Sequence, residues 1–386
     1  MRSKYKVANL LNNHKNNLDS LCANTWKSRT LHAIRKCRTI ELGGHIDKCD
    51  CCNKLHLSYN SCRNRHCPTC QGHKREQWIE NRSQELLNVP YYHVVFTIPH
   101  ELNELCLYEP KLVYSTLFKT AWETLQGFAS NPKLLGARTG MIALLHTWGQ
   151  NLQLHPHLHC IVPAGGVLGN GAWKMSKNKG TFLFPVKAMS KVFRAKYVAQ
   201  LRKEKEDICP ILCNKLFQKN WVVYAKQAFV KPEYVIEYLG RYSHKIAISN
   251  HRILDISNEK QTVTFSLKNY KKEGKKETLT LTQMEFIRRF NLHILPKGFT
   301  RIRHYGILSG TWKKKNLQAL QKKLNERKTV TKPKKDTHTI SKHLLCPYCK
   351  KGKLHVILAF DKARPPPAHL LAQVQRDKRH KCQVIK

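Results

Sequence analysis

Two cysteine pairs near the N-terminus, Cys49-x-x-Cys52 and Cys67-x-x-Cys70, stand fourteen residues apart. Each pair at this spacing can present two thiolates from one tight turn, and four thiolates complete a tetrahedral zinc site. Pro68 inside the second pair suits such a knuckle. The expectation is one structural Zn²⁺ held by Cys49, Cys52, Cys67 and Cys70. Cys62 and His66, and beyond them Cys51 and His56, leave the ligand set open, as does an exchange of Cys62 for Cys67 or a second zinc. A metal enclosed by four protein ligands has no open position, so this module should fold and dock rather than catalyse. The plainer alternative is four buried thiols without a metal. Arg63, Arg65, Lys74 and Arg75 around the knuckles are candidates for phosphate contacts.

The charge balance points to a polyanion. Lys and Arg number 69 against 25 Asp and Glu, a formal net charge of +44, and such a surface repels itself unless something anionic neutralises it. Nucleic acid is the expected partner; a merely basic soluble protein or an anionic lipid surface is the competing reading. No apolar run approaches the ~20 residues of a membrane span, and MRSKYKVANLLNNHKNN lacks the apolar core of a secretion signal. A cytoplasmic protein of a bacterial or archaeal cell, near the nucleoid and without a membrane partner, is expected. Fifteen cysteines, most at short spacing, then read as metal ligands and buried thiols of a reducing compartment rather than as disulfides.

The chain of 386 residues is long enough for two or three domains. Runs rich in β-branched and aromatic residues, at 91–98, 141–145 and 157–162, predict strands. Helical patterns cover 111–128 and 234–241, the latter just after Pro232. The mixture predicts an α+β fold. Composition divides the chain into residues 1–85, rich in Cys and His, a central stretch 86–312, and a lysine-crowded tail 313–386. Within the tail, KTVTKPKKDTHTISKH (328–343) reads as a solvated linker. Cys346-x-x-Cys349 is a lone pair with no clear partner, for which Cys382, His380 or His355 are candidates.

Alternation along a strand places His157 and His159 on one face, about 6–7 Å apart, and Leu158 and Cys160 on the other. Two neutral imidazoles leave a divalent ion with open positions for a phosphate oxygen. His155 extends this face, although Pro156 beside it suggests that the strand begins there. In KPEYVIEYLGRYSH (231–244), Tyr234, Tyr238 and Tyr242 recur every four residues and share a helical face. Such a stripe is commonly packing. Its functional reading is a phenol that attacks phosphorus, with Arg241, His244 and Lys245 nearby to stabilise charge and contact DNA.

These segments, with GGHIDKCDCC, YNSCRNRHCPTCQ, VPYYHVVFTIPHEL, HTWGQNLQLHPHLHCIVPAGG and EFIRRFNLHILPKGFTRIRHYGILS, occur in order from about residue 40 to residue 310. Together they resemble the rolling-circle insertion-sequence transposases of the IS-ninety-one type. The resemblance implies a small zinc-binding domain followed by an antiparallel-sheet His-hydrophobic-His nuclease domain with flanking helices. It implies that His157 and His159 hold a catalytic Mg²⁺ or Mn²⁺ and that Tyr238 and Tyr242 are nucleophiles, with Tyr234 left to packing. It further implies nicking of single-stranded DNA at element ends through a 5′-phosphotyrosine. A third metal ligand is expected, with His146 and Gln150 as candidates. A replication initiator or conjugative relaxase would share this chemistry, and a non-catalytic zinc-dependent nucleic-acid-binding protein would share the charge and the cysteines.

Overall fold

The computed structural model describes residues 3–70, 79–176, 183–229, 234–235, 240, 246–269, 272–326 and 345–383. The chain forms two compact units, one of Met1–Tyr5 with Gln71–Val330 and one of Lys6–Cys70 with Thr331–Lys386. This division cuts across the three consecutive stretches read from the sequence, because residues 313–386 belong partly to each unit.

In the unit that opens at Lys6, helices α1 (Val7–Asn13) and α2 (Thr25–Arg35) come first. Helix α2 starts at Asn24, whose side chain accepts the Lys27 N–H at 3.0 Å and so satisfies one of the free donors of the first turn. Leu10, Leu11, Leu31 and Ile34 are buried. Strands β1 (Gly44–Cys49) and β2 (Leu55–Tyr59) form an antiparallel hairpin with Gly44 opposite Tyr59 and Lys48 opposite Leu55. The turn between them carries Cys51 and Cys52.

The larger unit is built on a sheet of five antiparallel strands. In chain order these are β3 (Tyr91–Thr97), β4 (Gly140–Trp148), β5 (Leu154–Pro163), β8 (Val222–Phe229) and β12 (Ile302–Gly306). Their spatial order is β12-β4-β5-β3-β8, which puts β5 in the middle. Short strands β6 (Gly165–Val167) and β7 (Trp173–Met175) make a separate hairpin. A second sheet has β10 (Thr262–Asn269) between β9 (Ile253–Ser257) and β11 (Lys275–Thr282). The α+β architecture with antiparallel sheets is as expected, and the predicted strands at 91–98, 141–145 and 157–162 fall on β3, β4 and β5.

Period-two alternation sorts the central sheet into two faces. One carries Tyr92, Val94 and Phe96 of β3, Met141, Ala143 and Leu145 of β4, and Leu158, Cys160 and Val162 of β5. Against it pack helices α4 (Pro110–Ser130) and α5 (Val186–Glu204), which follow the short α3 (Asn103–Tyr108). Phe118, Leu125, Phe193 and Tyr197 from these helices are fully buried there, each side chain contributing roughly 1.5–3 kcal/mol of transfer free energy. The opposite face carries Tyr91, Ile142, Leu144 and Ile161, covered in part by Leu317, Leu320 and Leu324. Those leucines lie on α8 (Gly310–Glu326), which follows α6 (Pro210–Gln218) and α7 (Gln283–Leu292). The start of the lysine-rich tail is therefore a packed helix, because its leucines recur at spacings of three and four; residues 328–343 lie outside the described residues.

The segment from Leu345 onward returns to the unit that opens at Lys6. Strand β13 (Leu354–Phe360) pairs antiparallel with β1, Gly44 opposite Phe360 and Cys49 opposite Leu354, giving the order β13-β1-β2. Helix α9 (Ala368–Gln383) follows. Its buried Val374 packs with Ile46, Leu55 and Phe360, and its Asp377 accepts the Leu55 N–H at 2.7 Å.

Candidate active site and cysteine clusters

Register brings the histidines together. On β4, His146 stands opposite His157 of β5, and Leu144 stands opposite His159. With Leu158 and Cys160 turned to the helix-covered face, His146, His157 and His159 all project from the other. One nitrogen of each comes within 4.8 Å of the other two. His146 and His159 are 3% and 8% exposed, and His157 is half-buried.

Hydrogen bonds orient these rings. The His157 Nδ1 lies 2.6 Å from the His155 carbonyl oxygen. A carbonyl only accepts, so Nδ1 carries the proton and Nε2 keeps its lone pair. His93, on the same face of β3, places Nε2 2.9 Å from His159 Nδ1, and the two rings stack 5.1 Å apart. Burial, with a smaller effect of the Lys226 charge, pushes the His93 pKa down to about 4 and keeps the ring neutral. Trp148 stacks on His146 with ring centres 4.6 Å apart. Three imidazoles with nitrogens within 4.8 Å of one another form, when unprotonated, a donor set that fits a divalent ion and leaves coordination positions for other ligands.

Of the two candidates for a third ligand, His146 joins His157 and His159. Gln150 lies beyond the end of β4, where its backbone carbonyl accepts a 2.6 Å bond from Arg252 Nη2. His155 is exposed and stays outside the group, its ring 5.1 Å from that of His157. The sequence reading missed His93, although a polar residue in phase with Tyr91 inside the apolar run YYHVVFT was a signal for it. Tyr238, Tyr242, Arg241, His244 and Lys245 lie outside the described residues. Tyr234 does not pack as expected; it is 56% exposed, while Val235 beside it is fully buried. Val235 belongs to the apolar cluster that includes Ile142, Leu144 and Ile161, on the histidine face of the sheet.

The cysteines group differently from the sequence expectation. Cys67 and Cys70 join Cys62 and Cys37, the four sulfurs within 4.8 Å of one another. Cys37 and Cys62 lie 3.4 and 3.6 Å from Cys70. Hydrogen bonding from Cys62, then from Cys67, pulls the Cys37 thiol down to about 7. Cys37 was missed because it is isolated in the sequence, outside any C-x-x-C pair. His66 stays out of the group; its Nε2 accepts from Arg65 Nε at 3.3 Å. Arg63 follows Cys62 with φ of 51°.

Cys49 and Cys52 gather with Cys346 and Cys349 instead, so a single site of Cys49, Cys52, Cys67 and Cys70 is not formed. Cys49 Sγ lies 3.7 Å from Cys349 Sγ, and Cys52 Sγ lies 3.7 Å from Cys346 Sγ. Backbone N–H groups of Gly352 and Lys351 draw the Cys349 thiol down to about 6. Of the partners expected for Cys346 and Cys349, His355 instead faces Asp50 at 3.5 Å. The side chains of His380 and Cys382 lie outside the described residues. Cys51 is exposed and belongs to neither group. His56 points its Nδ1 to Asp47, 3.7 Å away.

Comparison with known proteins shows the family. Residues 140–318 match the family described as "Putative transposase", and residues 10–98 match the "Transposase zinc-binding domain". That match and the cysteine clusters identify structural zinc binding. The chain is 39% identical to "Putative transposase y4qJ" of Sinorhizobium fredii over 368 residues, 89% of this chain and 92% of that protein. It is 28% identical to the transposase for insertion sequence element IS801 of Pseudomonas savastanoi pv. phaseolicola over 291 residues, 72% of this chain and 70% of that protein. No solved structure matches the chain. Among the described residues, no helix is long and apolar enough to cross a membrane. By sequence, by its zinc-binding region and by its central domain, the chain belongs to the insertion-sequence transposases of the IS-ninety-one type.

Proposed function

We propose that this transposase nicks and rejoins single-stranded DNA at element ends through a phosphotyrosine intermediate, in a rolling-circle mode, with a divalent ion held by His146, His157 and His159. The observation that carries this reading is the convergence of three imidazoles from adjacent strands on the sheet face that Val235, at the head of the tyrosine segment, packs against. Tyr238 and Tyr242 follow Val235 by three and seven residues in the sequence, spacings that share one face wherever a helix forms. Tyr234, one position before Val235, is exposed.

The three rings must be neutral for this, because an imidazole binds a metal only when unprotonated. When bound, such an ion supplies Lewis acidity to a phosphate oxygen and so offsets charge developing on phosphorus. The all-nitrogen donor set favours Mn²⁺ over Mg²⁺, which dehydrates reluctantly and prefers oxygen ligands. His155 through its carbonyl, and His93 through Nε2, hold two of the three rings in place. The phenol oxygen of Tyr238 or Tyr242 attacks phosphorus and loses its proton to solvent. The bond from phosphorus to the 3′ oxygen breaks, and that oxygen takes up a proton. The 5′ phosphate stays on the tyrosine, so the bond can be re-formed by a later 3′-hydroxyl. Arg241, His244 and Lys245, and in the zinc-binding region Arg63 and Arg65, contact the DNA backbone, whose affinity for them falls with salt.

The test is covalent capture of a single-stranded oligonucleotide carrying an element end, with Mn²⁺ or Mg²⁺. His157→Ala combined with His159→Ala should abolish the adduct and leave salt-sensitive binding largely intact. Tyr238→Phe and Tyr242→Phe together should abolish it too. Full adduct formation in either double variant contradicts the proposal.

A further inference from the structure

Beyond the Cys37, Cys62, Cys67 and Cys70 group, four of the remaining cysteines form a second four-sulfur cluster. Cys49 ends β1 and Cys52 lies in the turn to β2, while Cys346 and Cys349 precede β13; the sulfur pairs between the two segments are 300 and 294 residues apart in sequence. Both measured sulfur–sulfur distances are 3.7 Å. Four thiolates at about 2.3 Å from a tetrahedral zinc stand about 3.8 Å from one another. A disulfide would need about 2.05 Å.

Both turns are shaped as thiolate-binding knuckles. The N–H groups of Cys51 and Cys52 point to Cys49 Sγ at 3.4 and 3.5 Å, and that of Tyr348 points to Cys346 Sγ at 3.4 Å. Gly352 N–H points to Cys349 Sγ at 3.3 Å. The residue after the second cysteine takes a left-handed conformation in each turn, Asn53 with φ of 56° and Lys350 with φ of 60°. Donors aimed at sulfur favour the thiolate, and four thiolates at this separation repel one another unless a cation lies between them. The turns also interlock. Lys353 N–H donates to Asp50 Oδ1 at 2.8 Å, and a Cβ on Gly352 would come within 2.5 Å of Cys49 Sγ.

We propose that the protein carries a second structural zinc ion, bound by Cys49, Cys52, Cys346 and Cys349, in addition to the one held by Cys37, Cys62, Cys67 and Cys70. The pairing of β13 with β1 holds the same two chain segments together by an independent set of contacts. The second C-x-x-C, Cys346 to Cys349, is thus an integral part of the zinc-binding region, which is complete only once these two cysteines have been made. This inference does not depend on the nuclease reading, and its test uses no DNA.

The experiment is zinc stoichiometry on purified full-length protein by inductively coupled plasma mass spectrometry, paired with iodoacetamide footprinting of the cysteines. The unaltered protein should hold two zinc ions per chain, counted beyond any zinc that His157→Ala with His159→Ala removes from the histidine centre. Exposed Cys51 and Cys209 should be alkylated quickly, and Cys49, Cys52, Cys346 and Cys349 only after a chelator removes the metal. Cys346→Ser with Cys349→Ser should lower the content to one zinc and make Cys49 and Cys52 reactive. A single zinc in the unaltered protein overturns the proposal. So does a content of two in the double variant, a disulfide-linked mass for these four cysteines, or alkylation of Cys346 and Cys349 as fast as Cys209. If the double variant fails to fold, the footprint of the unaltered protein decides alone.

Discussion

His93 Nε2 lies 2.9 Å from His159 Nδ1, so a buried neutral imidazole on β3 fixes the orientation of a ring on β5. For His159 to offer Nε2 to a metal, its Nδ1 must keep the proton and donate to His93 Nε2. Loss of such an outer partner typically costs about 10–100-fold in metal affinity or activity. His93→Ala should raise the Mn²⁺ concentration needed for half-maximal adduct formation by about that factor, with less change at saturating metal. An unchanged metal dependence would leave His93 a packing residue only.

Substitution distinguishes His146 from Gln150 as the third ligand. His146→Ala removes one of the three converging nitrogens, and adduct formation should fall by about 100-fold or more. Gln150→Ala leaves in place the backbone carbonyl that Arg252 uses and should stay within about threefold of the unaltered protein. The two variants are compared in one oligonucleotide capture assay, and equal losses would contradict the assignment.

Leu158 sits between two of the site histidines but faces the other way, fully buried among the helices. Leu158→Ala should destabilise the protein by about 2–5 kcal/mol, read as a lower midpoint in urea unfolding. Below the unfolding range, its adduct yield should remain within a few-fold, because the histidine face is untouched.

Two histidines set a pH dependence of stability. Burial, aided by Lys313 and Arg82, pushes His304 down to about 4, as burial does for His93. Both lie below the roughly 6.5 of an unfolded chain. The unfolded state therefore takes up protons first as pH falls. Stability is fully present above about pH 6.5 and is lost as pH drops toward 4, by roughly 3 kcal/mol at most for each histidine. Chemical denaturation between pH 7 and pH 4 reads this slope. His304→Gln should make it shallower; a slope unchanged by the substitution would remove His304 from the account.

Much of the nuclease domain is legible in the sequence because its signals are local. The runs that became β3, β4 and β5 and the helix over 110–130 declare themselves by period, and alternation alone turns His157 and His159 to one side. What is hidden depends on contacts distant in the chain. His146 becomes a partner only through the β4–β5 register, and His93 through β3 lying beside β5. The cysteine pairs name ligands but not their partners. The short separation of Cys52 and Cys67 suggests one site, whereas β13 brings Cys346 and Cys349 to Cys49 and Cys52. Helix α8 was obscured because lysines surround Leu317, Leu320 and Leu324.

In the proposed reaction a tyrosine in the 234–242 segment becomes covalently joined to DNA with the help of the histidine centre. Mass-spectrometric mapping of the peptide captured by a single-stranded element-end oligonucleotide in Mn²⁺ tests this step. The expected product is a nucleotide-bearing peptide modified at Tyr238 or Tyr242, absent when His157 and His159 are both replaced by alanine. A modification at any other residue, or an adduct that survives the loss of both histidines, would contradict it.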